Sequence, residues 1–380
     1  MKRNSTYQAA KTVAVPIEEH FSKHILAAHE RGESNIAPIP DAKVVEAIID
    51  TTFWASMRRE EGHSPKISLA YLPPETTGAS LSFTQRIPLS SYMLTKLAPG
   101  VERPGIHLGV WHENDELYIW GTTLNLPDFC FVLDVSEPGL MVIKHRRIDG
   151  FGKFANVAVL IGDQIKFVDE NSINLPDCPD ILSSILGFTS PSYWNKSANV
   201  LVQLAVSMRA HGRGGALLIV PSTKEGWRES IIRPMNYSLT PPYSGLTEIL
   251  KRQSDEDNAQ SWQAGLKKEI DNIAGLTAID GATIINDKHQ LLAFGAKIGR
   301  LDGNGVVDKI FITEPILGGQ VTTAPASKTG GTRHLSAAQF VYDQPDCLAL
   351  VASQDGRFTV FSWSSCEKIV QAYRIDTLLL

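Results

Sequence analysis

Gly330-Gly331-Thr332-Arg333-His334 runs straight into Leu335-Ser336-Ala337-Ala338-Gln339-Phe340-Val341-Tyr342, and Asp280-Gly281-Ala282 stands upstream of it. The second run has the composition of a short helix. A glycine turn feeding a helix start presents free backbone N–H groups and the positive end of a dipole, which suits an anion such as a phosphate. Arg333 and His334 add side-chain donors, and a guanidinium can grip phosphate oxygens as a fork. The same residues also fit a plain loop with Thr332 as N-cap. Asp280-Gly281 between apolar residues equally fits a hairpin turn.

The chain has 380 residues, enough for two or three domains with their own cores. Hydrophobic residues make up 43% and charged residues 20%, the composition of a soluble globular protein. The net charge is −5 and no long basic run occurs, so a nucleic-acid partner is not expected. Cys130, Cys178, Cys347 and Cys366 are scattered without a CxxC pair, which argues against a zinc ribbon or a disulfide framework. The start, Met1 to Val15, has no apolar core, and no stretch approaches the length of a membrane span. The expectation is a cytoplasmic protein without a membrane partner.

The pattern predicts an N-terminal helical arm over residues 1–40, a β-rich domain over 41–190 and a mixed helix–strand domain over 191–380. The fold class is thus α+β or α/β. In the arm, Pro16 suits a first helical turn, and Asn35 to Pro40 reads as a linker. His20 and His24 are spaced to share a metal, but the His-Glu-x-x-His pattern is absent and a solvated helix face is expected. Val44, Val45, Ala47, Ile48 and Ile49 form the apolar face of a second helix, and Lys66 to Leu72 reads as a strand. Residues 105–169 read as three successive hairpins, turning at 112–115, 136–139 and 162–163. The turn from His112 to Glu116 reads as solvated. Trp54, Trp111 and Trp120 read as core packing.

Prolines 176, 179 and 191 put the main boundary near 190. After it, Asn195 or Ser197 caps a helix with Val200, Leu201, Leu204, Ala205 and Met208 on one face. Ala216 to Val220 is a strand apolar on both faces. Ser230 to Arg233 is read as a strand, 255–260 as a polar loop and Ser261 to Ala274 as a helix. A hairpin turns at Asn286 to His289. Strands follow at Lys309 to Thr313, Cys347 to Ala352 and Arg357 to Trp363, with a flexible stretch at Gly318 to Lys328.

Taken in this order, residues 195–365 resemble the diadenylate cyclase domain, as found at the N-terminus of the DNA-integrity scanning protein DisA. The parts that match are the leading helix, the Gly215 to Val220 strand, the second helix, Asp280-Gly281-Ala282 with its hairpin, Gly331-Thr332-Arg333-His334 with its helix, and the buried strand ending at Ser353. In that family two subunits meet face to face, each holding one ATP, and join them into cyclic di-AMP. The resemblance therefore implies a nucleotide partner, a homodimer and Mg or Mn with the bound nucleotide. It implies that Asp280 is the catalytic, metal-binding carboxylate. Gly281 and Ala282 would let the nucleotide come close. Gly331, Thr332, Arg333, His334 and Ser353 would complete the nucleotide-binding set.

Two positions depart from the family. Leu335 stands where a third phosphate cation is usual, and Gln354 where a metal-binding glutamate is usual. Glutamine is a poor ligand for a hard divalent cation. Asp355 is adjacent, but alternate residues of a strand point to opposite faces. Such losses resemble the divergent branches of the superfamily regarded as nucleotide sensors, such as the group called DACNV. The expectation is a sensor that binds ATP or a cyclic dinucleotide, with an active diadenylate cyclase as the alternative. The resemblance does not reach residues 1–190 and names no downstream effector.

Overall fold

Apolar spacing of three and four residues makes α1 (Gln8–Glu30) a long amphipathic helix. Its buried stripe runs through Ala10, Val13, Ile17, Phe21, Ile25 and Ala28. The computed structural model describes residues 5–76, 80–114, 116–147, 154–174, 177–186, 196–252 and 259–380. The chain divides into two units, one ending at Val168 and the other running from Asp169 to Leu379. The position near 190, Asn195 and most of 255–260 lie outside the described residues.

In the first unit, α1 starts at Gln8, so Pro16 sits inside the helix and not in its first turn. Burial of Val13, Ala14 and Ile17 on either side holds the helix together through the lost N–H. His20 and His24 continue the buried stripe instead of facing solvent. His24 is only 4% exposed and stacks on Phe129 at 6.0 Å. Residues 35–40 are also pinned: the Ala37 N–H donates to the Asp128 carbonyl at 2.9 Å. Asp41 caps α2 (Ala42–Ser56) by accepting from the Lys43 N–H at 2.7 Å. Val45, Ile48 and Ile49 of α2 are buried.

The first sheet has eight strands: β1 (Ile67–Tyr71), β2 (Ser80–Pro88), β3 (His107–Glu113), β4 (Glu116–Thr123), β5 (Phe131–Glu137), β6 (Leu140–Arg146), β7 (Phe154–Ile161) and β8 (Gln164–Phe167). A short helix, α3 (Ser91–Leu97), joins β2 to β3. The spatial order is β2-β4-β3-β1-β5-β6-β7-β8. The three hairpins form, but β1 is inserted between the first and second. It pairs parallel with β3 and antiparallel with β5, so the sheet is mixed and not a plain meander. Trp120 is buried and its indole N–H donates to the Leu72 carbonyl at 2.9 Å. Trp111 is half-buried against Tyr71. Trp54, at 45% exposure, is not a core residue.

The second unit is built on β9 (Gly215–Val220), buried along its whole length. Strands buried on both faces need helices on both sides. Here Ala216, Leu218 and Val220 share a core with Ala337, Phe340 and Val341 of α8 (Thr332–Asp343). Leu217 and Ile219 point the other way by strand alternation. The remaining helices are α4 (Asp180–Leu186), α5 (Lys196–Ala210), α6 (Gly245–Lys251) and α7 (Ala259–Leu276). All five residues expected on the α5 face are buried.

The nine strands lie in the order β10-β12-β11-β9-β15-β16-β17-β13-β14. They are β10 (Tyr237–Tyr243), β11 (Ala282–Asn286), β12 (Leu291–Ala296), β13 (Lys309–Thr313), β14 (Thr322–Pro325), β15 (Leu348–Ala352), β16 (Phe358–Ser364) and β17 (Ile369–Arg374) beside β9. β9 runs parallel to β11 and antiparallel to β15. Two expectations fail locally. Ser230 to Arg233 is no strand; only Ile231 bridges, to Ile298. The strand lies later, at β10. The stretch read as flexible carries β14, an edge strand paired with β13. With eight helices and two mixed sheets among the described residues, the fold is α+β.

Candidate functional site

Strand directions converge on one end of the second sheet. Ala282 pairs with Ala216 at the starts of β11 and β9, and Ala352 at the end of β15 pairs with Gly215. Ala296 at the end of β12 pairs with Ala282. The loops leaving these ends, with the start of α8, enclose a cavity of about 630 Å³. Asp280, Gly281, Ala282, Gly331, Thr332, Arg333, His334 and Ser353 all line it. Every residue singled out from the sequence as a site candidate therefore reaches the same cavity. Asp280 and Arg333 share it, and the positive charge of Arg333 helps hold the Asp280 carboxyl below its ordinary range.

Asp280 sits at the head of β11 with its side chain 85% exposed. The largest influence on it is Lys297, whose ammonium donates to the carboxylate; the Gly281 N–H donates to it as well. Gly281 has φ +113°. A Cβ there would stand 2.5 Å from the Gly295 carbonyl carbon and 2.7 Å from its oxygen. The glycine is thus required by the close approach of β12, besides any approach by a ligand.

At the other wall, Gly331 is the extended residue before α8 and caps it without a side chain, so Thr332 is the first helical residue and not the cap. The N–H groups of Thr332 and Arg333 carry no hydrogen bond among the described residues, whereas those of His334 and Leu335 both donate to the Gly331 carbonyl. These are the orphan donors of a helix start. The Arg333 guanidinium lies over Gly214: a Cβ on that residue would meet Nη1 at 3.0 Å, the Ala352 carbonyl oxygen at 3.3 Å and Gln354 Cγ at 3.4 Å.

His334 differs from its sequence reading. Its ring is 5% exposed, edge-on to Phe361 at 6.1 Å and packed under Gly330. Burial is the chief reason its pKa lies below the ordinary histidine value, with Arg374 and Arg357 adding to the effect and Asp355 opposing it. Burial thus favours the neutral imidazole. The cations that face the cavity are Arg333 and Lys297.

Leu335 packs against the core around α8 and is not among the lining residues, whereas Gln354 is. Asp355 does not line the cavity. It is engaged at the turn by Ser353 first and then by Arg357, and both lower its pKa. Asp280 is the single carboxylate among the lining residues. Mg²⁺ is ordinarily held by one or two carboxylates together with substrate phosphates; here the one lining carboxylate is already bonded to an ammonium, which is a poor fit for a resident Mg or Mn ion.

The residues that sequence reasoning missed are Lys297, Ile232 and Ile298. Counting outward from the turn at Asn286 to His289, with Ile285 opposite Gln290, brings residue 295 opposite Asp280, but bulges in the β11–β12 pairing shift the register until Ala296 faces Ala282, so the count misses Lys297. Ile232 arrives through a loop contact, its N–H donating to the Lys297 carbonyl at 2.8 Å. No periodicity announces that contact.

Residues 34–124 match the family described as "Probable sensor domain DACNV". The match covers about a quarter of the chain and spans α2, α3 and β1 to β4 of the first unit. It falls outside the cyclase-like stretch to which the sensor resemblance was first attached. A probable sensor domain is thus indicated, and its location is the β-rich half of the protein. No curated protein matches the chain. Among the described residues no helix is long and apolar enough to cross a membrane.

Proposed function

We propose that this protein is a nucleotide sensor whose second unit holds ATP or a cyclic dinucleotide in the cavity at the start of α8. The observation that carries this reading is that Asp280 and Arg333 line one cavity together with Thr332, and that the N–H groups of Thr332 and Arg333 carry no hydrogen bond among the described residues. Free amides, a helix dipole and a guanidinium suit phosphate oxygens. Ala216, Ala282, Ile232 and Ile298 offer the apolar wall that a base needs. The volume lies within the usual range for small-molecule sites, roughly 300–1,000 Å³.

Binding is favoured over turnover for two reasons. Leu335 belongs to the core, and Gln354 leaves the β15 turn without a metal-binding carboxylate at the cavity. If each missing charge removes about 2–4 kcal/mol of transition-state stabilisation, the rate falls by roughly three orders of magnitude or more. The sensor-family match lies in the first unit, over residues 34–124, and supports a sensing role for the protein as a whole. On this reading the β-rich unit passes the bound state on to an effector. The retained Asp280 and Arg333 favour the alternative, a diadenylate cyclase working as a head-to-head homodimer.

Calorimetry with ATP and cyclic di-AMP, run beside a product assay with Mg²⁺ or Mn²⁺, separates the readings. The sensor reading predicts saturable binding of at least one ligand and no cyclic di-AMP above background. Steady product formation abolished by Asp280→Asn would establish the cyclase instead. Absence of binding to either ligand removes both.

A further inference from the structure

We propose that Lys297 is a ligand-binding residue standing in for a divalent cation, so that the cavity takes its phosphate-bearing ligand without metal. The inference rests on the nucleotide reading above and concerns how the charge of that ligand is met.

Three observations carry it. Lys297 lines the cavity and its ammonium is bonded to Asp280, the single carboxylate on that wall. A hard divalent cation would have to displace an ammonium already seated there. It would also stand close to a second cation, Arg333, which acts on the same carboxylate. Secondly, the turn after β15 offers the cavity no replacement carboxylate. The Gln354 amide donates to the Arg213 carbonyl at 3.4 Å, and Asp355 is held by Ser353 and Arg357. Thirdly, Lys297 is anchored. The Lys297 carbonyl accepts from the Ile232 N–H at 2.8 Å and the Gly299 N–H donates to the Ser230 carbonyl at 2.9 Å, while Ala296 on the other side pairs with Ala282.

The charge count follows. Lys297 and Arg333 against Asp280 leave one net positive charge facing the cavity before any ligand enters. Polyphosphates usually arrive with Mg²⁺ because their own charge must be neutralised where they bind. In this cavity two side-chain cations and the α8 amides take over part of that neutralisation. The ammonium is a compact point charge on a flexible stem, able to turn from Asp280 toward a phosphate without leaving the wall.

The test uses the full chain with ATP as probe. Calorimetric affinity is compared in EDTA and in excess Mg²⁺, and Mn²⁺ binding to the ligand-free protein is followed by electron paramagnetic resonance. The expected result is an affinity that changes by less than about threefold between the two conditions, with no Mn²⁺ held at the cavity. Lys297→Ala should weaken ATP binding in EDTA by about tenfold or more, the loss of one charge-assisted contact. Mg²⁺ should restore part of that loss. ATP binding by the wild type that collapses in EDTA would overturn the proposal. So would stoichiometric Mn²⁺ that disappears in Asp280→Asn. Failure of ATP to bind under both conditions removes ATP as the ligand and moves the same comparison to cyclic di-AMP, whose failure as well refutes the nucleotide reading; the Mn²⁺ measurement still decides the metal question, bound Mn²⁺ overturning the proposal and its absence upholding exclusion of the metal.

Discussion

Replacing Gly281 with alanine tests the geometry of the cavity wall without touching any charge. The backbone there has φ +113°, and the new methyl would lie 2.5 Å from the Gly295 carbonyl carbon and 2.9 Å from the Ala296 carbonyl oxygen. Those neighbours are backbone atoms of β12, so they can move only by distorting the β11–β12 pairing. Adding the strain of the left-handed backbone to that of overpacking gives a cost of about 3 kcal/mol. For a unit of this size that corresponds to a fall in melting temperature of about 6–12 °C. Gly275, in α7, is the control: a Cβ there meets nothing within 4 Å. Gly275→Ala should leave stability unchanged or raise it by about 0.5–1 kcal/mol. Calorimetric melting of the full chain measures both variants, and peptide-resolved hydrogen exchange locates the effect. Exchange should quicken over 282–296 and stay unchanged over 107–123. A Gly281→Ala melting point within about 2 °C of the wild type, with exchange over 282–296 unaltered, would refute the close approach on which the Asp280 wall depends.

Arg333→Ala should weaken binding of ATP or cyclic di-AMP by about 10- to 100-fold, the loss of one charge-assisted contact, with little change in melting temperature; titration calorimetry reads the first and a thermal scan the second. The His334 pKa is lowered by burial, so the unfolded chain binds more protons than the folded one as pH drops below the ordinary histidine value. Stability from this group is full above about pH 6.5 and is lost on acidification below it, and His334→Gln should flatten the fall in melting temperature between about pH 6.5 and 5 relative to the wild type. Among the four thiols, Cys130 and Cys347 are buried and burial pushes Cys347 up to about 12, whereas Cys366 is exposed. Under native conditions a maleimide should label Cys366 first and leave Cys130 and Cys347 unmodified until the chain is unfolded, as peptide mass mapping will read.

Much of this structure could be read from the chain because local signals and tertiary packing agree. The apolar residues of α5 recur at helical spacing and are the ones buried. The run from Ala216 to Val220 is apolar at every position because both its faces are covered. The readings fail where packing overrides local preference. Pro16 looks like a helix start and His24 like part of a wet face, yet the helix begins eight residues earlier at Gln8 and His24 lies in the stripe buried with Ile17 and Phe21. Edge strands such as β10 and β14 carry little apolar alternation, since the side chains on both their faces are largely exposed, and neither was legible. The site was legible in its glycines and charges. It was incomplete because Lys297 and Ile232 join it only through strand register and a loop contact. His334 looked like a cation from its neighbours, and only its burial under Gly330 shows a neutral ring.

The central claim is that a nucleotide occupies the cavity shared by Asp280 and Arg333. A crystal structure of the full chain grown with ATP or cyclic di-AMP tests it most directly. The account predicts phosphate oxygens within about 3.2 Å of the Thr332 and Arg333 amides and of the Arg333 guanidinium, and a base against Ile232 and Ile298. A nucleotide bound at any other place, with this cavity holding only water, would contradict it.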